Sequence, residues 1–385
     1  MHRIVVPAVC TVLALGLLFL ARLPAPRTRE GFASSGDGVW PPDTVLPPDA
    51  IHGTAPRPDD AGPRPMGSIF VSIAAYRDRA CNATLKSLFE NADHPELIFP
   101  GVVEQNANDV LESCAPKDKL PEKFQKNVTL MSVPHTEARG PTYARYLCST
   151  LFNGEQYMLQ IDSHTLASKG WDTKLKAAYN NALSKSRKPI LSTYPMAHDS
   201  KEQGTPTLCK SSFNSDGIPT WEAIIMTGEG GEDRPVPFTS GGFVFSSGKL
   251  FADVPYDKNL HYLFQGEEAL YSARAWTSGY DVFTPPANVL THFYTRKGAP
   301  RFWDDGAHKD YKEMQQKTLT FVRRLMGMQG PQVPDDYPYG MGKERSLEAW
   351  YDFAGLDRNS KSSTSFQKFC GMRAANATST VQAST

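Results

Sequence analysis

The sequence lacks what a nucleic-acid binder or a disulfide-built scaffold would need. Over 385 residues, 41 Lys and Arg stand against 41 Asp and Glu, for a formal net charge of zero. A chain with no surplus of positive charge has no electrostatic footprint for a polyanion, so no nucleic-acid partner is expected. No block of five like charges occurs, which removes basic arms and acidic tails. Six cysteines are too few to staple a chain of this size. No C-x-x-C spacing is present, so neither a structural zinc site nor a dithiol redox motif has support. No internal repeat is found. What is present is a 40% hydrophobic, 21% charged chain, enough to build a packed core and to exclude wholesale disorder.

Four segments are expected. Residues 4–21 are almost uninterruptedly apolar and uncharged, just long enough to cross a hydrocarbon core. A cleaved signal peptide and an uncleaved anchor both fit. The anchor, 1–22, is favoured because no clean small-x-small site follows. Arg22, Arg27 and Arg29 on the downstream side oppose a lumenal body, but a long folded domain overrides so small a charge bias. Sequons at Asn82, Asn127 and Asn376 agree with the lumen. Residues 23–66 are Pro-rich without hydrophobic period and read as a stem. Residues 67–358 form a single catalytic domain, and 359–385 a frayed, disordered Ser/Thr/Ala-rich tail. The whole reads as a single-pass type II protein of the Golgi or ER membrane, its body in the lumen. Of the five cysteines outside the anchor, four can form two intrachain bridges, leaving one free or paired between chains.

Within the body, strands are expected at 68–75, 97–103, 128–133, 157–161 and 189–193. Pro100 would bend the second strand or place it at an edge. Helices are expected at 82–92, at 142–152 and from Trp171, each with apolar residues at helical spacing. The alternation points to an α/β fold with a mostly parallel sheet and helices on both faces. Residues 194–237 read as irregular.

Ligands of such sheets sit at the carboxyl ends of the strands. There the buried strand 157–161 ends in Asp162-Ser163-His164. A carboxylate and an imidazole two residues apart make a mixed O/N site suited to Mn²⁺, with Mg²⁺ possible. Asp-Ser is equally good N-cap chemistry for a following helix. Arg139 and Arg145 flank the start of a helix, whose N-terminus suits a diphosphate. Gly241 and Gly242 precede an apolar strand and allow close backbone approach. They are not part of a P-loop, because Leu250 follows Lys249 where Ser or Thr is needed. Glu267 and Glu268 open a helix, and His292 through Arg296 close an apolar stretch. Each also has an ordinary structural reading, as helix-start acids or a satisfied histidine.

Five ordered segments carry a resemblance: residues 68–78, Gly140-Pro-Thr-Tyr-Ala-Arg145, Leu159-Gln-Ile-Asp-Ser-His164, Gly266-Glu-Glu268 and His292-Phe-Tyr-Thr-Arg296. Together they resemble the polypeptide alpha-N-acetylglucosaminyltransferases, which use UDP-GlcNAc. The resemblance implies a GT-A type fold, a Rossmann-like mixed sheet flanked by helices, with a divalent metal and retention of anomeric configuration. It implies that Ala74, Tyr76 and Arg77 hold uridine and that Arg139 and Arg145 clamp the nucleotide. Asp162, His164 and His292 would bind metal, and Gly241 and Gly242 would shape the sugar pocket. Glu267 and Glu268 would line the acceptor side, with Arg296 at the departing phosphate. The acceptor would be a Thr, Ser or hydroxyproline hydroxyl of a polypeptide; the anchor and stem weigh against hydroxyproline. A transferase using UDP-GalNAc or another UDP-hexose, a glycoside hydrolase and a non-catalytic nucleotide-sugar module are the rival readings. Residues 297–305 read as a lid that excludes water.

Overall fold

A computed structural model describes residues 52–53, 64–107, 109–115, 120–226, 235–296, 298–303, 310–371 and 380–382. The expected anchor, 1–22, and most of the stem lie outside the described residues. Among the described residues no helix is long and apolar enough to cross a membrane.

The chain opens with strands β1 (His52–Gly53) and β2 (Ile69–Tyr76), helix α1 (Cys81–Glu90) and β3 (Ile98–Asn106). Next come α2 (Glu122–Gln125), β4 (Thr129–Pro134), α3 (Pro141–Ser149), β5 (Tyr157–Asp162), β6 (Thr165–Ala167) and α4 (Trp171–Leu183). Strands β7 (Pro189–Ser192), β8 (Met196–Ala197), β9 (Thr205–Phe213), β10 (Pro219–Met226) and β11 (Phe243–Ser247) follow. Helices α5 (Leu250–Asp253) and α6 (Glu267–Thr277) lead to β12 (Asp281–Phe283) and β13 (Leu290–His292). Helices α7 (Tyr311–Leu325) and α8 (Leu347–Ala354), then β14 (Leu356–Asp357), β15 (Ser362–Ser363) and β16 (Thr380–Gln382), complete the chain.

The main sheet has the order β1-β4-β3-β2-β5-β11-β7-β12. Strand β2 alternates: Ile69, Val71, Ile73 and Ala75 pack toward α1 and α4, and Phe70 and Ala74 pack toward α3. Alternation with both faces apolar forces helices onto both faces, which gives the expected α/β layers. The sheet is mixed rather than mostly parallel, because β11 runs antiparallel to both β5 and β7. Strand β3 is internal to the sheet rather than at its edge, although Pro100 itself is paired only with β2. Strand β3 is paired on both sides, and its ladder to β4 begins only at Gly101, one residue past the proline. Gly101 itself is required, since an added Cβ would lie 2.4 Å from the Phe70 ring.

Of residues 194–237, expected to be irregular, 205–213 and 219–226 form strands. Strands β9 and β10 pair along their full length as a hairpin. Asn214 turns it, its Oδ1 accepting from the N–H groups of Asp216 and Ile218. Nor does the fold stop at residue 358. Phe369 and Cys370 are buried, and Cys370 is bonded to Cys209, so residues 359–371 belong to the packed body. The second disulfide joins Cys81 to Cys114. Cys148 is the free thiol among the described cysteines. It is fully buried, which pushes its pKa up to about 12 and removes it as an interchain link.

Candidate active site

Asp162 is the last residue of β5, an internal strand, and lies opposite Ala74 of β2. The chain then turns into β6 rather than a helix; α4 begins only at Trp171, after Gly170. The N-cap reading of Asp162-Ser163 therefore has no helix to cap. Thr84 of α1 fixes this turn, its hydroxyl donating to Ser163 O at 2.7 Å and accepting from Thr165 N at 3.1 Å. Strand β13 pairs with β6, setting His292 opposite Thr165, and Phe293 N–H donates to His164 O at 3.1 Å. That pairing brings a histidine from 130 residues downstream onto the aspartate.

Ligand atoms of Asp162, His164 and His292 all lie within 4.8 Å of one another. His292 Nε2 is 3.2 Å from Asp162 Oδ2, and the two imidazole rings are 4.4 Å apart. Asp78 stands behind them, 2% exposed. Its Oδ2 accepts from His164 Nδ1 at 2.8 Å, Ser163 Oγ at 2.6 Å and Arg296 Nη1 at 3.0 Å. A carboxylate so solvated stays ionised: burial pushes its pKa up, and His164, Arg296 and Ser163 outweigh that and hold it well below the usual range. Because a carboxylate only accepts, the His164 proton sits on Nδ1, and the Nε2 lone pair is left to bind a ligand. The buried Nδ1 of His292 has no hydrogen-bond partner. One carboxylate and two imidazoles, one of them oriented by a second carboxylate, form a donor set that a hard or borderline divalent cation fits.

Antiparallel β11 starts where β5 ends, with Phe243 opposite Ile161. This places Gly241 and Gly242 against the site. A Cβ on Gly242 would lie 2.8 Å from Asp162 Oδ2, and one on Gly241 2.8 Å from Arg145 Nη1. Arg145 bridges Asp162, at 3.2 Å, and Glu267, which also accepts from the Thr142 hydroxyl at 3.3 Å. Glu268 accepts from Gly241 N–H at 2.7 Å and from Tyr194 OH at 2.6 Å. Burial pushes its pKa up, against these two hydrogen bonds. Both oxygens of each glutamate are thus already engaged.

One cavity collects Ala74, Tyr76, Arg145, Asp162, His164, Gly241, Gly242, Glu267, Glu268, His292 and Arg296. Arg77 and Arg139 are not in its wall. Arg77 has a left-handed backbone, φ 46°, and its Nε lies 3.2 Å from Glu112. Arg139 lies over the Tyr143 ring at 5.4 Å. The role of Asp78 behind His164 and the place of Tyr194 on the wall were missed. Tyr194 follows β7 by two residues, so the strand-end rule could have found it. Of the expected lid, Lys297 and residues 304–305 lie outside the described residues. Phe302 is buried, its ring stacked 6.3 Å from Tyr262, and Trp303 packs on Phe264 at 4.9 Å.

Comparison with solved structures finds GalNAc-T7 bound to UDP, GalNAc and Mn²⁺, 17% identical with a TM-score of 0.48. The match covers 80% of this chain and 57% of that one, so the chain spans a little over half its length. S. aureus TarS 1-349 in complex with UDP-GlcNAc is 13% identical with a TM-score of 0.45, over 80% of this chain and 77% of that one. No curated protein matches the chain. The family model described as Glycosyltransferase (GlcNAc) matches residues 68–121 and 111–360, which take in every strand of the main sheet but β1, and Asp162, His164, His292 and both site glutamates. Over that span the chain is a member of the Glycosyltransferase (GlcNAc) family, and it is a glycosyltransferase.

Proposed function

We propose that this glycosyltransferase moves N-acetylglucosamine from UDP-GlcNAc to a Thr or Ser hydroxyl of a polypeptide, with a divalent cation and with retention. The observation that carries the reading is the Asp162, His164, His292 cluster at the strand ends, inside the cavity that also holds Arg145 and Arg296. When bound there, a divalent cation supplies positive charge to the diphosphate as its bond to the sugar breaks.

The chain's own residues do the rest. Asp78 fixes the His164 tautomer and holds Arg296 at 3.0 Å, toward the departing phosphate. Arg145 is braced between Asp162 and Glu267, so its guanidinium is preorganised beside the glycine pair. Ala74 and Tyr76 line the cavity at the end of β2, where the uridine is placed by resemblance. Glu267 and Glu268 both line the wall, yet their oxygens are taken up by Arg145, Thr142, Tyr194 and Gly241 N–H. Neither is left as a free nucleophile or base. This favours front-face attack, in which the acceptor proton passes to the departing UDP and the configuration is kept. A hydrolase reading needs two carboxylates facing one bond across a gap. Here Asp162 and Glu267 share a single guanidinium instead.

We place the chain in the secretory lumen, held by residues 1–22. The apolar run and the two disulfides, Cys81–Cys114 and Cys209–Cys370, support that compartment. The test is a panel of radiolabelled UDP-GlcNAc, UDP-GalNAc and UDP-glucose, with Mn²⁺ or EDTA, with and without a Thr peptide. UDP-GlcNAc turnover that needs Mn²⁺ and is lost in Asp162→Ala is the expected result. Turnover of no UDP-sugar, or equal activity in Asp162→Ala, would refute it.

A further inference from the structure

Strand β10 is the middle of a three-stranded sheet, between β9 and β16. Its first residues, Pro219 and Thr220, belong to the wall of the active-site cavity. On one side β9 pairs with β10 along its whole length, from Met226 opposite Thr205 to Pro219 opposite Phe213. On the other side the C-terminal strand β16 pairs antiparallel over three residues only: Ile224 with Thr380, Ala223 with Val381, Glu222 with Gln382. From Trp221 back to Pro219 this edge has no strand partner among the described residues.

A strand edge is a template for another extended chain, because its outward N–H and C=O groups take main-chain partners. The direction of this edge matters. A chain lying on the line of β16 runs, N to C, from Ile224 toward the cavity. In the same register, the residues two and three places after the Gln382 position fall opposite Thr220 and Pro219. At about 3.3 Å per residue that is roughly 7–10 Å further on, at the cavity wall. Thr220 and Glu222 are both half-buried, and Lys210 pairs with Glu222 at 2.9 Å, so polar groups flank the docking edge.

We propose that the edge of β10 is the docking strand for the polypeptide acceptor, and that the chain's own C-terminal strand competes for it. An extended segment adds antiparallel to Glu222, Ala223 and Ile224 and delivers a Ser or Thr two or three residues later to the cavity. Main-chain bonds hold the acceptor, so docking tolerates many side chains and fixes the spacing of the hydroxyl. The inference rests on a polypeptide being the acceptor.

The probe is a fluorescein-labelled peptide with the sequence of residues 376–385, titrated by anisotropy against the full chain and its Val381→Pro variant. Proline in β16 weakens the resident strand, and the variant is expected to bind the peptide several-fold more tightly. Two further peptides, N-methylated at alternate backbone positions, separate strand addition from other binding. One series should bind and the other should not, because successive amides of a strand point to opposite sides. That contrast is read on the unmodified chain too, so it stands even if the variant does not fold. Equal binding by both N-methyl series, or no gain in a folded variant, overturns the proposal. UDP-GlcNAc hydrolysis in the same samples keeps the two readings apart. Hydrolysis without docking sinks only this inference, whereas docking without hydrolysis sinks the donor assignment.

Discussion

Gly242→Ala puts the cation site to a sharp test. The added methyl would lie 2.8 Å from Asp162 Oδ2, where ordinary contact begins at 3.4 Å. The carboxylate must therefore retreat by about half an ångström. It is not free to rotate away, since Arg145 holds its other oxygen at 3.2 Å and His292 sits 3.2 Å from the same oxygen. Metal-ligand distances tolerate only about 0.2 Å. Disturbing a ligand's support typically costs about 10–100-fold in metal affinity, or roughly 1.4–2.8 kcal/mol. The backbone should not object, because Gly242 is not among the residues of positive φ. Mn²⁺ titration calorimetry is expected to show the loss while the melting temperature moves little. Gly101→Ala is the control with the opposite signature. Its Cβ would strike the buried Phe70 ring at 2.4 Å, so the melting temperature should fall and Mn²⁺ affinity should not. A Gly242→Ala protein with unchanged Mn²⁺ affinity would show that Asp162 is not a ligand.

Asp78→Asn should fold and lose about 10–100-fold in Mn²⁺ affinity, read by calorimetry, because an amide can donate as well as accept and no longer fixes the His164 tautomer. Its acid limb should change as well. The folded carboxyl lies well below its ordinary value, so its contribution to stability is complete above about pH 4 and fades as pH falls toward the folded value. Without divalent cation, the urea midpoint of Asp78→Asn should therefore fall less steeply on acidification than that of the wild type. Glu268→Gln keeps one acceptor for Gly241 N–H, and Tyr194 can reverse its hydroxyl toward the new amide. It should express, melt and turn over much as the wild type does, because front-face attack asks no base of Glu268; a large drop in turnover with an unchanged melting temperature would mark Glu268 as a base. Cys209→Ser opens a bridge across 161 residues and should cost roughly 2–5 kcal/mol, seen as a lower melting temperature whose further shift under reductant is smaller than in the wild type, because only Cys81–Cys114 is left to reduce. UDP affinity should rise with Mn²⁺, and Mn²⁺ affinity with UDP by the same factor, because the two share one site. Equal UDP affinity in EDTA and in Mn²⁺ would contradict that.

How much of this was legible depended on the range of the interaction. The strand at Ile69–Tyr76 and the helices at Cys81–Glu90 and Trp171–Leu183 follow from local periodicity, and each lies within two residues of its expected start. Asp162 was legible because a buried strand ends there. His292 was not legible by spacing, since the pairing of β13 with β6 that delivers it is tertiary; resemblance alone supplied it. Side-chain direction was the weakest inference. Arg77 directly follows Tyr76 of the cavity wall, but its left-handed backbone turns it toward Glu112. The packed segment 359–371 looked frayed because its polar composition hides a disulfide to a strand far upstream. The hairpin of β9 and β10 was overlooked because its second half is buried and reads as an apolar run without alternation.

The charges around the cavity explain why its polar groups call for a cation at all. Its wall carries four carboxylates, Asp78, Asp162, Glu267 and Glu268, against three guanidinium groups, Arg145, Arg296 and Arg301. Two of those guanidinium groups are already committed: Arg145 to Asp162 and Glu267, Arg296 to Asp78. A wall so balanced cannot attract a nucleotide-sugar diphosphate, which brings two negative charges of its own. Placing it beside Asp162 would set like charges together where water screens them poorly. Asp78 and Asp162 nonetheless persist as anions, because neighbouring His and Arg groups outweigh the cost of burying them. His292 meets Asp162 through Nε2, and its buried Nδ1 has no hydrogen-bond partner. Asp162, His164 and His292 would hold the proposed divalent cation, whose charge would offset those carboxylates where the diphosphate is received. On the proposed reading, Arg145 would place Asp162 for the cation as well as meet phosphate, in keeping with its facing two acids within the cavity.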